Sequence, residues 1–592
     1  MPTGAGKSLC YQVPALLLPG ITLVVSPLIS LMQDQVKSLN EAGIHAAYIN
    51  SSLTEGQINK ALSFAARGVY KIIYVAPERL ETASFLSFAL HTPISMVTVD
   101  EAHCISQWGQ DFRPSYLKII DFVEQLPGNP IISAFTATAT EVVKNDIARI
   151  LKLKNPNVVV TGFDRENLYY QVEHLTGKQK DIFIQNYIET HPNESGIIYC
   201  ATRKNVDTLY EKLLKQGVSV TRYHAGMSND IRKKSQDDFI YDRAQVVIAT
   251  NAFGMGIDKS NVRFVIHYNM PQSMENYYQE AGRAGRDGEP AKCILLFSTQ
   301  DVMISKLLLG SKDFEGMDFQ EIEQVKHQDS RRLQLMEGYC MTTSCLRNYI
   351  LEYFGETTHQ PCDNCGNCHQ EFEELDMTLD AKWVVGCITE MRGRYGQALV
   401  IGTLLGSKKA RLKDIGATSY NCYGQLENRT EADLRLLISQ MIRMGYIIQT
   451  EGEYSVLRAG NIADLQNKNT KIIIKKFKEK EKISTTKKHK TPFKKDSFSA
   501  STESSSTDST ATNSSHNSAL FEALRQLRLQ IAKEESVPPY IVFTDRTLID
   551  MCSKLPQNED EMLNVSGVGQ NKLKKYGQRF LQEISAFQSA NH

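Results

Sequence analysis

The chain is 592 residues long, and its 67 Lys and Arg are balanced by 67 Asp and Glu, leaving no formal net charge. At about 100–200 residues per domain, three to five domains are expected, and any nucleic-acid surface must gather its basic residues locally. No run approaches the ~20 apolar residues of a membrane helix, and the starting MPTGAGKS lacks the charged head and apolar stretch of a secretory signal, so a soluble, cytoplasmic protein is expected.

The first motif is Thr3-Gly4-Ala5-Gly6-Lys7-Ser8, which reads as a phosphate-binding loop. Its glycines let backbone N–H groups curl around a β-phosphate, Lys7 reaches the β- and γ-phosphates, and the Ser8 hydroxyl ligates Mg²⁺. The strict motif places Gly or Ala where Met1 stands, so a Gly-rich turn is the competing reading.

Short Val- and Ile-rich runs follow: ITLVVS (21–26), KIIYVA (71–76), SMVTVD (95–100) and PIISAFTAT (130–138), alternating with longer segments of helical period. Near-continuous apolar strands between helices indicate a parallel sheet buried on both faces. The third run ends in Asp100-Glu101-Ala102-His103, at the carboxyl edge of such a sheet, where ligands bind. Asp100 is suited to hold Mg²⁺, and Glu101 to orient and deprotonate an attacking water. The alternative is a solvated acidic turn.

The pattern restarts with GIIYCA (196–201), AQVVIAT (244–250) and VRFVIHY (262–268), which predicts a second doubly wound α/β domain, with the boundary near residues 152–165. It carries Gln279-Glu280-Ala281-Gly282-Arg283-Ala284-Gly285-Arg286. Arg283 and Arg286, three apart on one expected helical face, can reach a nucleotide held by the first domain. An arginine supplied this way raises phosphoryl transfer by about 10³–10⁵. The alternative is an exposed basic turn.

Residues 301–370 read as helical and end in Cys345, Cys362, Cys365 and Cys368. Two overlapping C-x2-C units with a thiolate upstream fit a tetrahedral Zn–S₄ site, which has no open position and is therefore structural. A redox dithiol, or Cys340 or His369 in place of Cys345, remains open here. Residues 376–460 carry short helices, with Leu434, Leu437, Ile438 and Met441 on one face. Two short strands about a Glu-Gly turn follow, together suggesting a winged helix. Residues 466–516, Lys-rich and then Ser/Thr-rich, lack the apolar content to order themselves. Beyond them Leu520, Phe521, Leu524, Leu527 and Ile531 open a small helical domain.

At Asp100-Glu101-Ala102-His103-Cys104-Ile105-Ser106-Gln107-Trp108-Gly109-Gln110-Asp111-Phe112-Arg113-Pro114 the chain strongly resembles the RecQ helicases of superfamily two. VVSPLISLMQDQV (24–36), YVAPERL (74–80), TATAT (136–140), YCATRKNVD (199–207) and ATNAFGMGIDKSNVRFVIH (249–267) extend the likeness. The resemblance implies that the aromatic-rich loop senses single-stranded DNA, with His103, Gln107, Trp108, Phe112 and Arg113 coupling it to ATP hydrolysis. Stacking of bases on Trp and Phe, worth about 1–3 kcal/mol each, suits that task, while an aromatic loop packed as core is the bland alternative. Gln110 departs from the His of many family members. By the same resemblance Thr3, Gly4, Gly6, Lys7, Ser8 and Gln279 bind nucleotide, and Asp258 helps couple the DNA track to the cleft.

The resemblance also implies the order of domains. Two RecA-like domains (1–152 and 153–300) are followed by a zinc-binding subdomain (301–372), an RQC winged helix (373–465), the linker (466–516) and an HRDC domain (517–592). The last two folded parts can meet DNA or serve only as structure. In the HRDC region Gly567, Gly569, Lys572, Lys574 and Lys575 are the candidates for phosphate, and Tyr540 and Asp545 can be plain structure. The family carries an adenine-recognising Phe-Arg-x-x-Gln element and a strand before the phosphate loop, where this sequence has Met1. The expectation drawn from that is weak ATP hydrolysis. The implied activity is an ATP-dependent, 3′→5′ DNA helicase acting in repair and recombination, with ATP, Mg²⁺ and structural Zn²⁺. Its implied partners are single-stranded and forked DNA and, by family analogy, a single-strand-binding protein and a topoisomerase. An RNA helicase and a DNA-binding or annealing module with an impaired motor are the alternatives.

Overall fold

The computed structural model describes every residue except Thr3, Ala5, Gln110, 254–258, 313–318, His359, 451–454, 463–470, 478–512, Ser536 and 591–592. Met1–Gln370 with Glu374–Lys476 form one unit, and Glu371–Glu373 with Phe477–His592 a second. Among the described residues no helix is long and apolar enough to cross a membrane.

The first lobe is built on strands β1 (Ile21–Val25), β2 (Ala46–Ile49), β3 (Ile72–Val75), β4 (Ile94–Val99) and β5 (Ile131–Ala134), in the order β2-β3-β1-β4-β5. All pairs are parallel. Every residue of β1 and β3 is buried because helices cover both faces, which is why these strands read as unbroken apolar runs. Separate apolar cores lie on the two sides of the sheet.

The second lobe has β6 (Leu168–His174), β7 (Ser195–Tyr199), β8 (Val220–Tyr223), β9 (Val246–Ala249), β10 (Val262–His267) and β11 (Ala291–Phe297), in the order β6-β11-β10-β7-β9-β8. It too is parallel throughout. Two doubly wound sheets are therefore present, as the alternating pattern implied.

The zinc-subdomain helices share their core with this lobe. Leu333, Met336, Tyr339, Leu346, Ile350 and Phe354 are buried with Tyr170, Tyr277 and Leu295. Phe354 stacks on Phe163, with ring centroids 4.5 Å apart. Arg347 donates to the Arg165 carbonyl at 2.7 Å and pairs with Asp164, so the segment entering β6 is clamped to the zinc subdomain.

From residue 378 the chain forms helices Thr378–Glu390, Gln397–Leu404, Ala410–Asp414 and Glu431–Arg443, then an antiparallel pair, Ile447–Gln449 with Leu457–Ala459. Leu434, Leu437, Ile438 and Met441 are fully buried, as their helical spacing required. The Glu-Gly turn itself lies outside the described residues.

One expectation is corrected here. The linker read from residue 466 begins too early, because Ile472 and Ile474 are buried in the winged-helix core. Ile472 N–H donates to Thr378 Oγ1 at 2.8 Å, and its carbonyl accepts from Met377 N–H at 2.8 Å. Alternating isoleucines inside a Lys-rich segment supply the apolar side that the average composition hides. Most of the remaining linker lies outside the described residues.

The second unit contains helices Asn513–Glu535, Pro539–Val542, Asp545–Lys554, Glu559–Leu563 and Gln578–Ala590 around a core of Leu524, Ile531, Phe543, Met551 and Phe580. Arg528, 1% exposed, is neutralised by Asp545 at 2.7 Å and also donates to the Phe543 carbonyl at 2.9 Å. Asp545 thus has a structural role.

Candidate functional site

The phosphate loop leads into the helix Lys7–Leu17. Gly4 and Gly6 have φ of 85° and 79°, in the left-handed region where a side chain is strained. Gly6 is the N-cap and offers no side-chain cap, so the first-turn N–H groups and the positive end of the helix are left for an anion. Lys7 heads that helix. Thr3 and Ala5 lie outside the described residues.

Asp100 follows β4 directly, and its N–H donates to the Val25 carbonyl at the end of β1, at 2.8 Å. Both central strands therefore deliver it to the carboxyl edge beside the phosphate loop. Burial pushes its carboxyl up to about 7; the neighbouring Glu101 charge adds to the rise, and Lys7 offsets part of it. A buried carboxylate at the edge of the phosphate loop has the hard oxygen donors that suit a divalent cation such as Mg²⁺. Glu101 sits at φ 48°, a left-handed conformation rare outside glycine. Its Oε2 is buried without a hydrogen bond, and it lies 3.4 Å from His103 Nδ1. Strain and an unsatisfied acceptor at one residue are marks of a working position. His103 Nδ1 is also 3.0 Å from Thr136 Oγ1. Burial lowers its pKa, against the opposing charges of Glu101, Asp111 and Glu275.

Gln279, Arg283 and Arg286 arrive from the second lobe. The expectation of two arginines on one helical face is corrected: the helix Met274–Ala281 ends before them, with Gly282 as its C-cap. Arg283 and Arg286 lie in the turns that follow. Those turns exist because Arg165 takes their carbonyls, donating to Gly282 at 3.3 Å, Ala284 at 3.1 Å and Gly285 at 2.8 Å. Asn167 adds bonds to Gly285 and Glu289 at 2.9 and 2.8 Å. A β-carbon at Gly285 would stand 2.4 Å from Asn167 Nδ2, and its φ is 55°, so only glycine fits. The result brings the arginine loop to the phosphate loop. A β-carbon built on Gly4 would lie 3.4 Å from Arg286 Cγ and 3.7 Å from Arg165 Nη1. Arg283 is buried.

Past the 3₁₀ turn Ala102–Ile105, the aromatic loop carries Gln107, Trp108, Phe112 and Arg113. Trp108 is 50% exposed, and Phe112 is half-buried, so the loop is not packed as core. Trp108 N–H donates to Ser106 Oγ at 3.1 Å, which itself donates to Asp146 at 2.7 Å. Gln107 and Trp108 line a cavity of about 280 Å³ together with Ile105, Asp146, Arg149 and Ile150. Arg113 is held by Asp111 at 2.9 Å and by the Pro27 carbonyl at 3.3 Å, and so braces the loop's far end. Gln110 and Asp258 lie outside the described residues.

The Sγ atoms of Cys345, Cys362, Cys365 and Cys368 lie within 4.8 Å of one another. Cys362–Cys368 and Cys345–Cys365 are 4.0 Å apart and Cys365–Cys368 3.5 Å. Tetrahedral Zn–S bonds of about 2.3 Å demand S···S edges of about 3.8 Å, so the cluster fits zinc. The alternative ligands stand apart: His369 Nε2 is engaged with the Asp363 carbonyl at 2.8 Å, and Cys340 is buried outside the cluster.

In the second unit the expected phosphate-facing lysines are partly engaged. Lys572 lies 5.5 Å from the Phe543 ring centroid, and burial lowers its pKa. Lys575 pairs with Glu535 at 2.7 Å.

Arg165 and Asn167 are site residues that the sequence reading missed. They lie over a hundred positions before the loop they shape, in a segment with no motif of its own.

Five family models match the chain in succession. They are the DEAD/DEAH box helicase (residues 1–145), the helicase conserved C-terminal domain (179–288), RecQ zinc-binding (299–369), the RQC domain (371–483) and the HRDC domain (517–584). The chain is 43% identical over 587 residues to the "ATP-dependent DNA helicase RecQ" of Bacillus subtilis, covering 99% of this chain and 93% of that one. It is 38% identical to the protein of the same name from Haemophilus influenzae, covering 98% and 89%. It is 31% identical to the "RecQ-like DNA helicase BLM" of Xenopus laevis, covering 99% and 44%.

Proposed function

The chain belongs to the RecQ helicase family, and on that premise we propose how its geometry runs an ATP-dependent DNA helicase. In this reading it translocates 3′→5′ on single-stranded DNA, opens forked duplexes, and hydrolyses ATP faster when DNA is bound. The observation that carries the mechanism is Arg286 of the second lobe lying against Gly4 of the first.

ATP lies with its phosphates on the N–H groups at the start of Lys7–Leu17, and Lys7 neutralises the β- and γ-oxygens. Ser8 and the buried Asp100 would hold Mg²⁺, which would supply positive charge against the charge developing on the phosphates. Glu101 orients the attacking water; its Oε2 lies 3.4 Å from His103 Nδ1, and Thr136 Oγ1 holds that imidazole in place. Arg283 and Arg286 stabilise charge on the transferring phosphoryl group, and Gln279 contacts the nucleotide from the helix preceding them. Because ligands for one phosphate chain come from two lobes, cleavage and release change the lobes' preferred spacing. Trp108 and Phe112 offer faces on which bases stack, one 3₁₀ turn from Glu101, and Gln107 and Arg113 shape that loop. The zinc centre carries no chemistry. A protein acting on DNA works where the DNA is, which in a bacterial cell is the cytoplasm and its nucleoid. Single-strand-binding protein and topoisomerase partners remain family-based proposals.

The test is strand displacement on duplexes with a 3′ or a 5′ single-stranded tail, with ATPase stimulation compared for DNA and RNA. Unwinding restricted to 3′-tailed substrates, with DNA the better activator, supports the reading. Opening of 5′-tailed duplexes only, or stimulation by RNA alone, overturns it. DNA binding indifferent to nucleotide would point instead to an annealing module.

A further inference from the structure

Arg332 projects from the long zinc-subdomain helix Phe319–Met341. Its Nη2 donates to two backbone carbonyls of the aromatic loop, Trp108 and, at 3.0 Å, Gly109. Its Nε lies 3.8 Å from Glu275 Oε1, and its Nη1 3.3 Å from Asp329 Oδ1. The side chain is 13% exposed. One guanidinium thus joins three bodies: the DNA-facing loop of the first lobe, the helix of the second lobe that runs into the arginine loop, and the zinc subdomain.

Glu275 is buried and also accepts from Tyr353 Oη at 2.6 Å. Tyr353 is the last residue of the helix Leu346–Tyr353, whose N-cap is the zinc-ligating Cys345, accepting from Asn348 N–H at 3.5 Å. The zinc centre therefore fixes one end of a short helix, and the other end holds the carboxylate that orients Arg332.

We propose that Arg332 is a positioning residue for the DNA sensor: it holds the aromatic loop's backbone in place and leaves the Trp108 indole free to stack, with Glu275 and Tyr353 setting its angle. The proposal rests on the reading of this chain as a DNA-stimulated motor. A planar fork suits the site, since Nη2 serves the two carbonyls while Nε, on another edge of the guanidinium, faces the carboxylate; a lysine ammonium has a single nitrogen and cannot stand at both edges at once. The bonds go to main-chain oxygens, so no side chain within the loop replaces them. The zinc subdomain then has a task besides its own folding. It carries the fixed support against which the loop moves when Trp108 is drawn onto a base, and any shift of Glu275 passes along Met274–Ala281 towards Arg283 and Arg286.

The test uses the full chain with Trp383→Phe as background, because Trp108 and Trp383 are its two tryptophans, so that emission reports Trp108 alone. Arg332→Ala, Arg332→Lys and Tyr353→Phe are compared for acrylamide quenching of Trp108 without DNA, for the ratio of ATPase rates with and without an oligo-dT strand, for zinc content and for thermal midpoint. Arg332→Ala is expected to raise quenching and to lower the stimulation ratio by about tenfold, a typical coupling between sites. Arg332→Lys is expected to restore neither, and Tyr353→Phe to move both in the same direction by less, with zinc retained in every variant. Unchanged quenching and ratio in Arg332→Ala overturns the proposal. If Arg332→Ala instead loses zinc, Tyr353→Phe decides, and no shift in either readout there overturns it. Should the background protein show no DNA stimulation at all, the motor reading fails, and the quenching comparison still tests the placement of the loop.

Discussion

Arg286 and Gly4 belong to different lobes and yet touch: a β-carbon on Gly4 would meet Arg286 Cγ at 3.4 Å. The contact is arranged by Arg165, whose guanidinium gathers the carbonyls of Gly282, Ala284 and Gly285 and turns the loop toward the first lobe. A phosphate chain seated on the first lobe is thereby within reach of a cation from the second.

Asp100 gives a prediction in pH. Its folded pKa, about 7, lies above the ordinary 3.8, so folding favours the protonated form. The native state loses stability as pH rises from the unfolded value to the folded one, and the loss is complete above about 7. Asp100→Asn removes that cost, so it should unfold several degrees higher than wild type near pH 8 and close to wild type near pH 4. Affinity for Mg·ATP should run the other way in wild type, weakening as pH falls below 7, if the protonated carboxylate is the one proposed to hold the metal. Thermal scans and nucleotide titrations at both ends of the range check this; a wild-type-to-variant gap that is the same at both contradicts it.

Zinc removal should cost more than one subdomain. Structural sites of this type supply about 10–16 kcal/mol of apparent binding energy at neutral pH, and Cys365 is buried in the core that also holds Tyr170 and Leu295 of the second lobe. Cys365→Ser should lose zinc by elemental analysis and expose residues 299–369 and the second sheet to protease. A variant that keeps its metal and midpoint refutes the four-cysteine assignment.

Gly109 permits the aromatic loop to close on itself. A β-carbon there would stand 2.1 Å from the His103 carbonyl, backbone against backbone, so Gly109→Ala must displace the loop. Binding of single-stranded DNA should weaken by about 1–3 kcal/mol, the worth of a stacked base, while circular dichroism stays close to wild type. Fluorescence anisotropy with a labelled strand reads the change, and unaltered affinity counts against the loop as a DNA contact.

Arg528 is the structural key of the C-terminal unit. Removing one partner of a buried ion pair costs about 3–5 kcal/mol, and Arg528→Ala takes the guanidinium away from Asp545. The HRDC domain should unfold, seen by proteolysis beyond residue 517, with ATP hydrolysis by the lobes retained. An intact HRDC domain in that variant contradicts the assignment.

Much of this was legible from residue order. Interior strands such as Ile21–Val25 and Ile94–Val99 are covered on both faces and spell out apolar runs. The strands that escaped are mostly edges: Ala46–Ile49, Leu168–His174 and Val220–Tyr223 end their sheets and are only partly buried, so their composition is mixed. Interior Ala291–Phe297 carries an equally plain run, CILLF, and could have been read. The site divides in the same manner. Lys7, Asp100, Glu101 and three of the cysteines, Cys362, Cys365 and Cys368, sit in short contiguous motifs, each a turn at a strand or helix end. Arg165, Asn167, Glu275 and Arg332 act across folds of the chain, and nothing local distinguishes them from the other charged or polar residues. The helical reading of Arg283 and Arg286 failed because the force that ends the helix, Arg165 on three carbonyls, is more than a hundred residues away.

The most direct measurement is ATP hydrolysis and unwinding of a 3′-tailed duplex by Arg286→Ala, with nucleotide affinity measured on the same protein. If the phosphates are clamped between lobes, nucleotide still binds within a few-fold of wild type, hydrolysis falls by about 10³ or more, and unwinding stops. Hydrolysis and unwinding by Arg286→Ala at wild-type rates would contradict the clamp, and with it the motor.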